Sequence, residues 1–129
     1  MRGLGVLLIG LTLTAPSVAS PQAGATPVVE VRLSSYAFTP DTMRLQFGQE
    51  QILRLVGARG SHNFSAPALF AASRIDARSA SRVRRGTVEV REEDVIDIRL
   101  TPLTAGTYPV RCTHLLHTAY GMKGQAIVG

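Results

Sequence analysis

An all-β sandwich of about seven short strands, interrupted by one helical insertion near residues 67–85, is the fold this sequence predicts. Two observations carry the prediction. Apolar and polar residues alternate in several short segments separated by turn residues, and the stretch from Pro67 to Arg85 loses that alternation and becomes rich in Ala, Leu and Arg. The chain has 129 residues, 45% apolar and 18% charged, which suits one domain with its own core, placed at 28–129.

The elements follow in order. Val29, Val31 and Leu33 alternate with Glu30 and Arg32, and Met43, Leu45 and Phe47 alternate with Arg44 and Gln46. Gln51 to Val56 places Leu53 and Leu55 together. These read as three half-buried strands of an antiparallel meander, with Pro40-Asp41 and Gly48-Gln49 at the turns. Pro67 to Arg85 reads as one helix or two short ones, with Ser65 as its cap and Gly86 as its stop. Alternation returns in Thr87 to Val90 and in Asp94 to Leu100, where Ile96, Ile98 and Leu100 share a face. Thr107 to Cys112 and Gln125 to Val128 complete the set.

The first residues have the parts of a secretory leader. Arg2 is followed by an apolar run from Leu4 to Leu13, and Ser17-Val18-Ala19 precedes Ser20. The run is short for a hydrocarbon core that takes about 20 residues to cross, so residues 1–19 are expected to be cleaved and the protein exported to the periplasm without a membrane span. Residues 20–27, with Pro21, Gly24 and Pro27, read as a flexible lead-in.

Charge narrows the partners. The net charge is +5, and loss of the leader removes only Arg2 from the balance. Arg82, Arg84 and Arg85 cluster without interleaved aromatics or a nucleic-acid motif, so they read as a solvated helix face. Nucleic acid is thereby excluded, and a weak preference for acidic partner proteins is what the charge supports.

Cys112 is the single cysteine, so no internal disulfide forms, although export places the thiol where disulfides are common. Tyr108, Val110 and Cys112 share one phase of their strand, which puts the thiol at its buried end. His117 follows five residues later and Met122 five beyond that. Thiolate, imidazole and thioether are soft donors of the kind that select copper over magnesium, calcium or manganese. His62, in Gly60-Ser61-His62-Asn63-Phe64, is the candidate fourth donor from a distant part of the chain. Two imidazoles and a thiolate make a trigonal plane, and Met122 supplies the weak axial contact of an electron-transfer site. Asn63 is structural in this reading, its amide tying the His62 segment to the Cys112 loop.

His-Asn upstream, then Tyr-x-Val-x-Cys, a later His and Gly-Met-x-Gly before a last strand, resemble the cupredoxins, the blue-copper proteins that include plastocyanin, azurin and rusticyanin. The resemblance covers Val28 to Gly129 and implies a Greek-key sandwich holding one copper ion, Cu(I) or Cu(II), through His62, Cys112, His117 and Met122. It matches Asn63 to the neighbour that braces the site, and the gaps around His117 resemble the longer ligand loop of rusticyanin. It also implies that the exposed edge of His117 is the electron port, within an apolar patch of Leu115, Leu116 and Ala119.

Two features depart from the pattern: the stretch from Pro67 to Arg85, and His114. Standing two residues after Cys112, His114 competes with His117 for the metal, but side chains so close in sequence converge poorly on one ion at about 2.0 to 2.3 Å. It is read as a supporting or surface group. Met43 fits a core face, and Tyr36 and Tyr120 read as packing or interface residues. The function implied is a monomeric carrier of single electrons between redox proteins, not an enzyme. A second reading stays open, a periplasmic carrier that binds and delivers copper, kept alive by His114 and the helical stretch.

Overall fold

The computed structural model describes residues 3, 5, 7, 9–17, 24–117 and 119–129. The expected leader (1–19) and lead-in (20–27) fall partly on residues outside this set. No helix among the described residues is long and apolar enough to cross a membrane.

The described residues form ten strands and two short helices: β1 (Val28–Ser34), β2 (Ala37–Thr39), β3 (Thr42–Leu45), β4 (Gln51–Gly57), β5 (His62–Ser65), α1 (Pro67–Ala71), β6 (Ser73–Ile75), α2 (Ala77–Ala80), β7 (Thr87–Val90), β8 (Val95–Pro102), β9 (Gly106–Arg111) and β10 (Lys123–Val128). They pair into two five-stranded sheets, β2-β1-β4-β8-β6 and β3-β10-β9-β5-β7. The core lies between them. The inward alternation places Val31 and Leu33 of β1, Leu53 and Leu55 of β4, and Ile96, Ile98 and Leu100 of β8 out of water. Val110, Ala126 and Val128 bury the facing side. Phe38, Phe64 and Phe70 meet edge to face at centroid distances of 5.8 and 6.1 Å, which joins both sheets and α1 around Phe64.

Several expectations need correction. The first strands are not an antiparallel meander: β1 runs parallel to β4 from Val28↔Ile52 to Leu33↔Gly57, and β3 leaves for the other sheet, where it runs parallel to β10. Alternation identifies a half-buried strand but carries nothing about its partner. Phe47 does not face the core with Met43 and Leu45; β3 ends at Leu45 and Phe47 is exposed. The stretch from Pro67 to Arg85 is two short helices separated by strand β6, which pairs with β8. Its helix ends also differ. Ser65 belongs to β5 and makes no cap, since α1 starts after Ala66 with Pro67 in its first turn. Gly86 stops no helix, because α2 ends at Ala80 and Gly86 instead turns the chain into β7 with φ 73°. Arg82, Arg84 and Arg85 are exposed but lie beyond α2, in the turn leading to β7.

The close approach of β4 to the turn before β8 positions the ligand end of the sandwich. Gly57 meets the turn by accepting from the Glu93 amide and donating to the Asp94 carbonyl, and a β-carbon there would overlap the Arg91 carbonyl. From this point the chain turns through Gly60 and enters β5 at His62.

Candidate metal centre

His62 opens β5, a four-residue strand in which every residue is buried. Its pairing with β7, His62↔Val90 through Ser65↔Thr87, fixes its height in the sheet. The ring is oriented by its outer nitrogen: Nε2 faces the Arg59 carbonyl, and a carbonyl only accepts, so Nε2 carries the hydrogen. In the neutral ring Nδ1 then keeps its lone pair, and Nδ1 is the atom turned inward, 3.1 Å from Nδ1 of His117. Gly60 makes room for this arrangement. Its φ is +69°, and a β-carbon would stand 3.3 Å from His62 Nε2.

Cys112 stands one residue beyond β9, continues the phase of Val110 and is fully buried. Its Sγ lies 3.4 Å from His117 Nδ1. The loop that follows folds back on itself through the backbone: His117 N–H donates to His114 O, Met122 N–H to His117 O, and Cys112 N–H to Met122 O. Met122 is thereby pinned beside the cysteine, and it is fully buried.

The ligand atoms of His62, Cys112 and His117 all lie within 4.8 Å of one another. Gaps of 3.1 and 3.4 Å are those left between donors that sit about 2.0 to 2.3 Å from a shared ion. Two inward nitrogens and a sulfur, with a thioether residue buried alongside, fit a single copper ion. The His117 pKa is held below its ordinary value, first by burial, then by the rings of His62 and His114. Those influences favour the neutral ring that ligation requires.

A second layer of polar contacts surrounds this cluster. Asn63 Nδ2 donates to Thr113 Oγ1 at 2.7 Å, and Thr113 N–H donates to Asn63 Oδ1 at 2.8 Å. These two bonds tie β5 to the cysteine loop. His114 points away from the cluster: Nδ1 donates to the Ser61 carbonyl at 2.9 Å and Nε2 meets the Glu89 carboxylate at 3.0 Å. Burial pushes the Glu89 carboxyl up, but hydrogen bonds from Asn63 and His114 outweigh it and leave the pKa below its ordinary value.

The family model described as multicopper oxidase (Cu-oxidase_2), a cupredoxin-like domain, matches residues 41–129. The chain belongs to this family. No curated protein matches the cupredoxin sequence. Solved structures show the same fold at low identity. A reduced auracyanin from the photosynthetic bacterium Roseiflexus castenholzii is 19% identical with a TM-score of 0.61, over 82% of this chain and 99% of that one. Auracyanin A, a "blue" copper protein from Chloroflexus aurantiacus, is 16% identical with a TM-score of 0.57, over 81% and 100%. A multicopper oxidase from Campylobacter jejuni is 14% identical with a TM-score of 0.59, but the match takes in 87% of this chain and only 32% of the oxidase.

Around the cluster, Leu115, Leu116, Ala119 and Tyr120 are exposed. Tyr36, read from the sequence as a packing or interface residue, sets its ring edge-on to His117 at 5.3 Å and packs on Tyr120 at 4.9 Å. Sequence reasoning missed two contributors. The Arg59 carbonyl orients His62, and Glu89 reaches both Asn63 and His114. Local pattern holds no signal for any of these. Glu89 is a polar residue alternating with Val88 and Val90, and its role comes from standing opposite Asn63 in the β5–β7 register.

Proposed function

We propose that this cupredoxin is an exported, periplasmic carrier of single electrons, using one copper held by His62, Cys112, His117 and Met122. The observation that carries the reading is the convergence of two inward Nδ1 atoms and a buried thiol from segments some fifty residues apart. Copper bound there supplies a one-electron couple. The chain's own part is to hold the donors still. His62 is fixed by β5 and the Arg59 carbonyl, while Cys112 and Met122 sit where water does not reach. A site fixed from several directions changes little between oxidation states, which favours fast electron exchange. His117 alone of the donors is partly exposed, so its edge, among Leu115, Leu116 and Ala119, is the port toward partner proteins. The basic balance of the chain suits partners with acidic surfaces.

The reading is of a carrier and not an enzyme. The sequence contains only three histidines, and one of them, His114, is committed to Ser61 and Glu89, which leaves too few to build a second copper centre beside the first. The leader-like first residues support export.

The test is visible absorption and electron paramagnetic resonance of the purified protein titrated with Cu(II), with Cys112→Ala alongside. An intense thiolate-to-copper band near about 600 nm that vanishes in Cys112→Ala and bleaches reversibly on reduction supports electron transfer. Binding of Cu(I) only, or a weak ordinary Cu(II) spectrum, sinks it in favour of a copper carrier.

A further inference from the structure

We infer that Glu89 is a positioning residue for the metal-binding loop, because its two carboxylate oxygens clamp Asn63, beside His62, to His114, inside the loop between Cys112 and His117. Oε1 accepts from Asn63 Nδ2 at 3.0 Å and Oε2 from His114 Nε2 at 3.0 Å. The geometry gives each bond a further consequence. Asn63 must present its carbonyl oxygen to the Thr113 amide and its NH₂ to Glu89, so both ends of the side chain demand the same amide orientation. His114 spans from Glu89 to the carbonyl of Ser61, the residue just before His62, and its own carbonyl receives the His117 amide. One carboxylate on strand β7 thus bears on the segments that carry His62, Cys112 and His117 through its hydrogen bonds to Asn63 and His114.

Glu89 stands on β7, at the edge of its sheet and directly opposite Asn63. Its side chain is mostly exposed, at 67%, so it fills no core space and its removal opens no cavity. Hydrogen bonds to a charged acceptor are stronger than neutral ones, and several in a chain hold a loop better than one. The clamp belongs to the protein with or without metal. Only its spectroscopic consequence rests on the copper reading.

The experiment compares the full chain with Glu89→Ala, Glu89→Gln and Glu92→Ala, the last an exposed glutamate in the turn after β7. In the metal-free proteins, amide hydrogen exchange is read at Thr113 and His117. Glu89→Ala is expected to exchange about tenfold faster at both sites, as loss of a charge-assisted bond predicts. Glu89→Gln is expected to recover part of that protection, since its amide oxygen still accepts from Asn63 Nδ2. In the copper-loaded proteins, Glu89→Ala is expected to shift the charge-transfer band and the copper hyperfine splitting, with Glu89→Gln nearer the unmodified protein. Exchange in Glu89→Ala within about twofold of the unmodified protein, or an equal loss of protection in Glu92→Ala, overturns the clamp. An unmodified protein that shows no such band overturns the copper reading alone, because the exchange result decides the clamp independently.

Discussion

The two halves of the metal centre are built in opposite ways. His62 comes from β5, where four consecutive residues are buried and every one is paired to β7. His117 comes from a loop flanked by Leu115 and Leu116, exposed at 86% and 57%, in which Leu116 adopts a left-handed φ of 65°. Rigid sheet therefore sets one donor, and the other is carried by a loop that faces solvent. Cys112 and Met122 sit at the junction, buried like the first half but bonded through the backbone of the second. In the proposed reading this arrangement separates two demands on an electron carrier, with the strand half setting geometry and the loop half left to meet partners.

The largest test of that contrast sets the core beneath the strand half against the surface of the loop half. Phe64 is fully buried on β5 and stacks edge to face with Phe38 and Phe70. Phe64→Ala is expected to lower the stability of the metal-free protein by about 3 to 5 kcal/mol in urea unfolding, the cost of an aromatic-sized cavity. Leu115→Ala, made in the loop half, is expected to stay within about 0.5 kcal/mol. Comparable losses from the two would break the division.

Next in size is the tie between the halves. Asn63→Ala removes the acceptor of the Thr113 amide and the donor to Thr113 Oγ1 and Glu89, three hydrogen bonds made by one buried side chain. A loss of about 2 kcal/mol in stability is expected, with faster release of bound copper to a chelator. Lost stability with unchanged release would show that the tie serves the sandwich and not the metal loop.

Much of this was legible before any coordinates, and the boundary is physical. The donor set declared itself because Cys112, His117 and Met122 lie within one loop and differ chemically from everything around them. Strands β1, β8 and β9 declared themselves because one face is wet and the other dry. Strand β5 did not, since with all four residues buried it has no alternation to read. The same limit hid Glu89, whose place opposite Asn63 is a matter of register. The parallel pairings of β1 with β4 and β3 with β10 were likewise out of reach, being contacts between distant segments. Strand β6 is three residues long between two helices, too short for any period to emerge.

A smaller effect probes the loop half alone. Left-handed backbone costs a side-chain-bearing residue about 1 to 2 kcal/mol, while glycine adds back about 0.5 to 1 kcal/mol of unfolded-chain entropy. Leu116→Gly is therefore expected to raise stability by about 0.5 kcal/mol in thermal or urea unfolding. It also removes an exposed apolar side chain beside His117, so reaction with a redox partner should slow even as the fold gains. Stability and transfer falling together would mean that Leu116 packs the loop and that its strain is compensated in place.

The smallest expected effect lies on the sheet that carries no ligand, at the register pair Arg54↔Asp97 between β4 and β8. The guanidinium grips the carboxylate with two bonds, Nε to Oδ1 at 2.8 Å and Nη2 to Oδ2 at 2.9 Å, and the hydrogen bond from Arg54 is the first cause holding the Asp97 pKa below its ordinary value. A carboxyl depressed in the folded state stabilises above its unfolded value of about 3.9, and that contribution is lost as pH falls through the lower folded value. Both side chains are more than a third exposed, so solvent screening limits the pair to about 0.5 kcal/mol. Asp97→Asn is expected to lower stability by that amount at neutral pH and by nothing once the pH is below the folded value, where the native carboxyl is protonated as well. The copper spectrum should be unchanged throughout, because among the described residues no hydrogen bond runs from this pair to β5 or the ligand loop. A spectral shift in Asp97→Asn would mean that the two sheets are mechanically coupled at the metal, and the division between a rigid strand half and an independent loop half would have to be redrawn to include the far sheet.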